Sequence, residues 1–137
     1  MENSGKLASR RINWGCVRNG EIDMAHHAQN RLVIECEPKD YALVRALLAG
    51  EEEQGQSLSF QALAPVTASE DSAVLRAAQA AAWGVTGGAY DIMVEETPNG
   101  LVYWFHTAWR NVPWIAQAVV DLLRGAGIAL KQVCYEG

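Results

Sequence analysis

The chain has 137 residues, half of them apolar and a fifth charged, which suits one folded domain and excludes an intrinsically disordered chain. No apolar run approaches the roughly 18 residues of a membrane span, no apolar stretch follows the charged N-terminus, and Cys16, Cys36 and Cys134 form no CxxC pair. We therefore expect a cytoplasmic protein, with reduced thiols and neither a disulfide framework nor a zinc knuckle. The net charge of −5 is uneven: residues 1–18 carry Lys6, Arg10, Arg11 and Arg18 against Glu2, and residues 19–137 carry 7 basic and 15 acidic residues. An acidic body repels phosphate backbones, so direct nucleic-acid binding is not expected, whereas a basic protein partner suits it. The plainer alternative is that the charge serves solubility.

Residues 1–30 are polar and aperiodic and are expected to form an irregular arm, followed by a single domain over 31–137. From Arg31, Leu32, Ile34 and Cys36 alternate with Val33, Glu35 and Glu37, the pattern of a half-buried strand. Pro38 opens a helix to about Ala49, with Leu43, Val44, Leu47 and Leu48 on its apolar face and Gly50 as its stop. The tract Glu51–Glu52–Glu53 falls in a polar loop. Leu58, Phe60 and Ala62 alternate, predicting a second strand over 57–64 that ends at Pro65. Thr67 and Glu70 have capping-box spacing for a helix to about Trp83, with Val74, Leu75, Ala78, Ala81 and Ala82 on its apolar face. Gly84, Gly87 and Gly88 break it.

Tyr90–Glu95 alternates again, with Tyr90, Ile92 and Val94 on one side, and Pro98–Asn99–Gly100 is a strong turn signal. Leu101–Ala108 pairs back, with Tyr103 and Phe105 opposite Trp104 and His106. Asn111 is the expected cap of a last helix whose stripe is Ile115, Ala118, Val119, Leu122 and Leu123, and a strand over 128–135 closes the chain. The order β-α-β-(α)-β-β-α-β predicts an α+β protein with a ferredoxin-like core, a mostly antiparallel sheet and helices on one face.

The succession Trp83–Gly84, Ala89–Tyr90–Asp91, Phe105–His106–Thr107–Ala108–Trp109 and Tyr135–Glu136–Gly137 resembles the YubB-like ferredoxin-like domain of conjugative plasmids and phages. Those proteins carry "WGTKWDAYD", an "F-x-TAW" strand end followed by a proline and a helix, and a closing "Y-x-E-x-G". Asn13–Trp14 and Asn30–Ile34 are similar to the two halves of the family's opening segment, separated here by an insert with His26 and His27. The family's "TKWD" is replaced by 85–89, Val-Thr-Gly-Gly-Ala. The resemblance implies a mobile-element origin, a setting in which small accessory proteins counter host defence.

No catalytic constellation is expected. His26 and His27 are adjacent, lack a partner at metal-ligand spacing, and read as a surface loop; no metal site and no cofactor are predicted. Cys36 and Cys134 alternate onto core faces, which argues against a His106–Cys nucleophile pair. The 84–88 glycines lie between helix and strand, the reverse of a phosphate cradle. Glu95 and Glu96 point to opposite strand faces and cannot share a proton. Trp104 and His106 are expected on the open sheet face, where an exposed aromatic marks an interface; the alternative is that residues 1–30 fold across that face. Trp109 and Trp114 are expected to pack at the start of the last helix. For Trp83, Gly84, Tyr90, Asp91, Thr107, Trp109 and Tyr135, a ligand pocket competes with a structural role at the sheet edge, and the structural role is preferred.

These features lead us to expect a non-enzymatic mobile-element accessory protein. It would inhibit a host defence complex, such as a CRISPR or restriction effector, by presenting Glu51, Glu52, Glu53, Glu95, Glu96, Trp104 and His106 to a basic groove built for nucleic acid. The rival expectations are a small-molecule or nucleotide module, or an enzyme, using the Trp83–Asp91 segment, and a structural dimerisation domain.

Overall fold

The computed structural model describes residues 27–50 and 57–137. Glu51, Glu52, Glu53, His26 and the rest of residues 1–26 lie outside the described residues. The protein is α+β. Strands β1 (His27–Cys36), β2 (Tyr90–Thr97), β3 (Gly100–Ala108) and β4 (Leu130–Glu136) form one antiparallel sheet in the order β2-β3-β1-β4. Helices α1 (Tyr41–Ala49), α2 (Phe60–Leu63) and α3 (Ser72–Trp83) lie between β1 and β2, and α4 (Ile115–Gly125) lies between β3 and β4.

β1 begins earlier than its hydrophobic alternation suggests. His27, Ala28, Gln29 and Asn30 pair with β3 from Ala108 to Phe105, so residues 27–30 belong to the strand and not to the irregular segment expected over 1–30. Ladder hydrogen bonds extend a strand through polar residues that periodicity cannot flag. Leu32, Ile34 and Cys36 are buried as expected. A 3-10 turn at Pro38–Asp40 leads into α1, whose buried stripe is Tyr41, Val44 and Leu48. Leu43 is on the far flank of that stripe and is 47% exposed. Gly50, at φ 65°, closes the helix in a conformation that an L side chain resists, and a Cβ there would stand 2.9 Å from the Ala62 Cβ.

The strand expected over 57–64 is instead the short helix α2. Ser59 caps it, its hydroxyl accepting from Ala62 N at 3.1 Å, while Ser59 N donates to Leu48 O at 2.7 Å. Those bonds tie the segment to the end of α1 and not to a sheet edge. Leu58 and Phe60 are buried, so an alternating pattern here reflects burial on entry to a turn of helix. The next helix starts at Ser72. Asp71, not Thr67, is its cap, with Oδ1 accepting from Ala73 N at 2.9 Å and Val74 N at 3.4 Å. The apolar face proposed for this helix is largely open, with Val74 54% exposed and Trp83 its one buried residue.

α4 buries Ile115, Val119 and Leu123; Leu122 is only half-buried at the margin of the core. Its N-cap is Trp114. Asn111 does not cap the helix but reaches back to β1, donating to Gln29 O at 2.8 Å. The core is made from the inner face of the sheet (Leu32, Ile34, Leu101, Tyr103, Phe105) and from Val44, Leu48, Phe60, Trp83, Val119 and Leu123.

Tyr103 is fully buried and its hydroxyl has no hydrogen-bond partner among the described residues. Burial, the largest cause, pushes the phenol up to about 12, with Arg45 pulling it down and Cys36 adding to the rise. The folded state thus holds this proton more tightly than the unfolded chain, whose tyrosines titrate near about 10. Stability should fall as pH rises from about 10 to about 12. Tyr103→Phe removes an orphaned donor and should be neutral or stabilising by about 1 kcal/mol at pH 7. It should also flatten the alkaline loss; urea melts at pH 7 and across the alkaline range check both.

Candidate functional site on the outer face of the sheet

Facing residues across β4, β1, β3 and β2 form rows on the surface away from the core. One row is Glu136, Arg31, Trp104 and Met93; the next toward the hairpin is Cys134, Val33, Val102 and Glu95. Trp104 is half-buried and Met93 is 51% exposed beside it. Acidic side chains border them: Glu35, Glu95, Glu136 and Asp91. Arg31 is the basic residue of these rows and is bound to Glu136 at 3.2 Å.

In the opposite direction lies a ring cluster. Tyr90 pairs with His106 and Met93 with Trp104, so one extra residue is inserted in β2 between them. This is a β-bulge, and Asp91 sits in it at φ 53°. The bulge corrects the expected alternation: Ile92 and Val94 face inward, but Tyr90 turns to the outer face. There the Tyr90 hydroxyl bonds His27 Nδ1, and Asp91 Oδ2 lies 3.0 Å from His106 Nδ1. Ring centres are 5.5 Å apart for His27–Tyr90, 5.8 Å for Tyr90–His106 and 6.0 Å for His27–His106. Burial raises the Tyr90 phenol, with Asp91 adding to it, so the hydroxyl keeps its proton. A carboxylate only accepts, so Nδ1–H of His106 is the donor to Asp91.

The motif residues separate into three groups. Tyr90 and Asp91 belong to the outer cluster just described. Thr107 is fully buried on the inner face, accepting from Asn30 Nδ2 at 3.0 Å and donating to Arg110 O at 2.6 Å. Tyr135 joins that network, donating to Asn30 Oδ1 and accepting from Val112 N at 2.8 Å. Trp83 is buried near the helices. Its Nε1 donates to Ala64 O at 2.7 Å, and its carbonyl accepts from Trp114 Nε1 at 2.7 Å. Gly84 is the left-handed cap of α3. These residues therefore do not gather at one edge: Thr107, Tyr135 and Trp83 are tied into the fold by the bonds just given, and Asp91 meets a histidine and not a turn.

Trp114 packs at the start of α4 as expected, but Trp109, at φ 67°, is 65% exposed. Glu95 lies on the outer face, while Glu96 pairs with Arg45 of α1 at 3.0 Å on the inner side. Cys36 is buried, and burial, then Asp40 and Glu37, pushes its thiol up, away from nucleophile chemistry. Cys134 pairs with Val33 and so faces outward, against the core placement read from its alternation. Sequence alternation placed Trp104 and His106 on this face, but missed His27 and Tyr90. His27 could be joined to His106 only by register, and Tyr90 only by the bulge.

On the helix side, a cleft of about 410 Å³ is lined by Phe60, Trp83, Gln79, Gly87 and Gly88 among others. Among the described residues no helix is long and apolar enough to cross a membrane. The chain matches no protein-family model, no curated protein and no solved structure.

Proposed function

We propose that this protein works by contact with another protein, through the outer face of its sheet. In this reading it is a non-enzymatic accessory protein of a mobile genetic element, similar to the YubB-like domain, that inhibits a host defence complex of CRISPR or restriction type. The antiparallel order β2-β3-β1-β4, with a helical connection after β1 and another after β3, supports a ferredoxin-like plan for the core. The observation that carries the reading is the juxtaposition of Trp104 and Met93 with Glu35, Glu95, Asp91 and Glu136 around them. An aromatic–Met patch supplies the anchor of an interface, and an acid border steers a basic surface such as a nucleic-acid groove.

The test is binding of the full chain to purified effector complexes with and without their nucleic acid. Trp104→Ala should weaken binding by about tenfold or more while the variant melts normally. Glu95→Lys should slow association and flatten its dependence on salt. Binding unchanged in both variants, or binding only to nucleic-acid-loaded complexes, overturns the proposal. The cleft at Phe60, Trp83, Gly87 and Gly88 favours a second reading, a module for a small planar molecule; a bound metabolite in the native mass spectrum would support it.

A further inference from the structure

We infer that the outer edge of β4 is a self-association surface, on which a second copy of this chain lays its own β4 antiparallel and joins the two four-stranded sheets into one. The inference is independent of the partner-binding reading. β4 is the last strand on its side of the sheet, and among the described residues no strand lies beyond it. The direction of its backbone groups follows from β1. Cys36 N donates to Asn99 O at 3.2 Å, so Cys36, Ile34 and Leu32 turn their N–H and C=O groups toward β3, and Glu35, Val33 and Arg31 turn theirs toward β4. Gln132, Cys134 and Glu136 stand opposite those three residues and bond to them. The N–H and C=O groups of Val133 and Tyr135 therefore point off the edge.

A two-fold axis at Cys134 uses all of these groups at once. Val133 then pairs with Tyr135 of the second copy, and Tyr135 with Val133 of the second copy, each pair exchanging both of its backbone hydrogen bonds. The side chains agree with this register on both faces. On the inner face Val133 meets Tyr135, and both are half-buried at the margin of the core. On the outer face Gln132 meets Glu136, an amide donor against a carboxylate. Glu136 is already bound to Arg31 at 3.2 Å, so its charge does not stand alone beside the edge. Cys134 meets Cys134 of the second copy, a small uncharged pair at the axis.

The other edge, β2, does not offer this. Its bulge between Tyr90 and Met93, with Asp91 at φ 53°, bends the strand, a common device for protecting an edge. In the rest of β2, Val94 and Glu96 point off the edge by the same alternation, and the register that uses both sets Glu95 against Glu95 of the second copy. Like charges directly opposite are destabilising. β4 has its irregularity at Lys131, near its start, which leaves Gln132–Glu136 in unbroken register with β1. An edge of this kind is a template for another strand, and its own sequence is one that fits it on both faces. So short an edge buries less than the roughly 1,200 Å² of a standard interface, so the dimer should be weak and concentration-dependent.

Sedimentation velocity of the full chain across a concentration series should show a monomer–dimer equilibrium, and amide hydrogen exchange at Val133 and Tyr135 should slow as the dimer fills. Diamide, as the oxidant, should then link two chains through Cys134: each thiol gives up its hydrogen as the Sγ–Sγ bond forms, and the reagent takes up both. A non-hydrogen-bonded pair sets its Cα atoms about 4.5 Å apart, inside the roughly 4.4–6.8 Å that a disulfide spans. The link should be lost in Cys134→Ser and kept in Cys16→Ser. Cys134→Lys sets two ammonium groups face to face and should weaken the dimer by at least about tenfold. Gln132→Lys should strengthen it and Gln132→Glu weaken it, each by about two- to tenfold, because residue 132 meets Glu136 of the second copy. The inference is overturned if the chain sediments as a monomer at every concentration, or if a dimer forms that Cys134→Lys leaves intact. It is overturned equally if the Val133 and Tyr135 amides are already slow in the dilute monomer, the sign that another part of the same chain covers the edge. Circular dichroism of each variant confirms folding, and the wild-type exchange series alone decides the matter should a variant fail to fold.

Discussion

Phe60→Ala should destabilise the protein by about 3–5 kcal/mol and lower its melting temperature by on the order of 10 °C. The ring is 3% exposed and is the hub of an aromatic cluster. Trp114, Trp83 and Phe105 meet it nearly edge-on, with centres 5.1, 5.5 and 6.2 Å away and interplanar angles of 75°, 80° and 87°. Edge-to-face pairs add to the area term, and truncation leaves a cavity bounded by three rings that cannot all move inward. The loss also reaches the outer face of the sheet, because Phe105 is the inward neighbour of Trp104 and His106 on β3. Thermal denaturation measures the effect. A loss below about 1 kcal/mol would show that α2 is not docked on the core as described. Phe60→Leu, which refills most of the volume, should recover part of the difference.

Gly100→Ala should be at least as damaging, for a different reason. A Cβ on this residue would stand 2.0 Å from the Ile34 carbonyl oxygen and 2.9 Å from the Glu35 Cα. Those atoms are backbone in β1, which is bonded to β3 on one side and β4 on the other. No side-chain rotation can relieve the contact. Either β1 and β3 separate at this end or the hairpin is rebuilt, so the cost should exceed about 3 kcal/mol, beyond ordinary overpacking. Asn99→Ala, one residue away in the exposed turn, is the control and should stay within about 0.5 kcal/mol. Equal melting curves for the two variants would contradict the close approach of the hairpin to β1. The backbone bond from Cys36 N to Asn99 O, at 3.2 Å, should be lost with Gly100→Ala and kept in the control, which amide hydrogen exchange can read.

How far the sequence reaches depends on the range of the interaction involved. Local patterns were sufficient for β1 from Arg31 to Cys36, for the β2–β3 hairpin around Pro98 and Asn99, and for α4, whose apolar spacing leaves one packing solution. They were sufficient, too, for placing Trp104 and His106 on the outer face, because a strand's two faces alternate without exception until something is inserted. At 57–64 the same alternation misled. Leu58 and Phe60 are buried by helices and Ser59 caps a turn; nothing within eight residues reveals that no strand lies beside them. The capping oxygen of α3 was misassigned because Thr67, Ser69 and Asp71 all compete, and tertiary placement chooses Asp71. The His27–Tyr90–His106–Asp91 cluster was least legible of all. It joins residues 63 and 15 positions apart through a strand register and a single bulge, and the bulge needs a positive φ at Asp91, a conformation uncommon for any residue but glycine. Composition and periodicity thus determined the class of the fold and the polarity of its surface. Cross-strand register, set by long-range hydrogen bonding, decided which chemical groups meet on that surface.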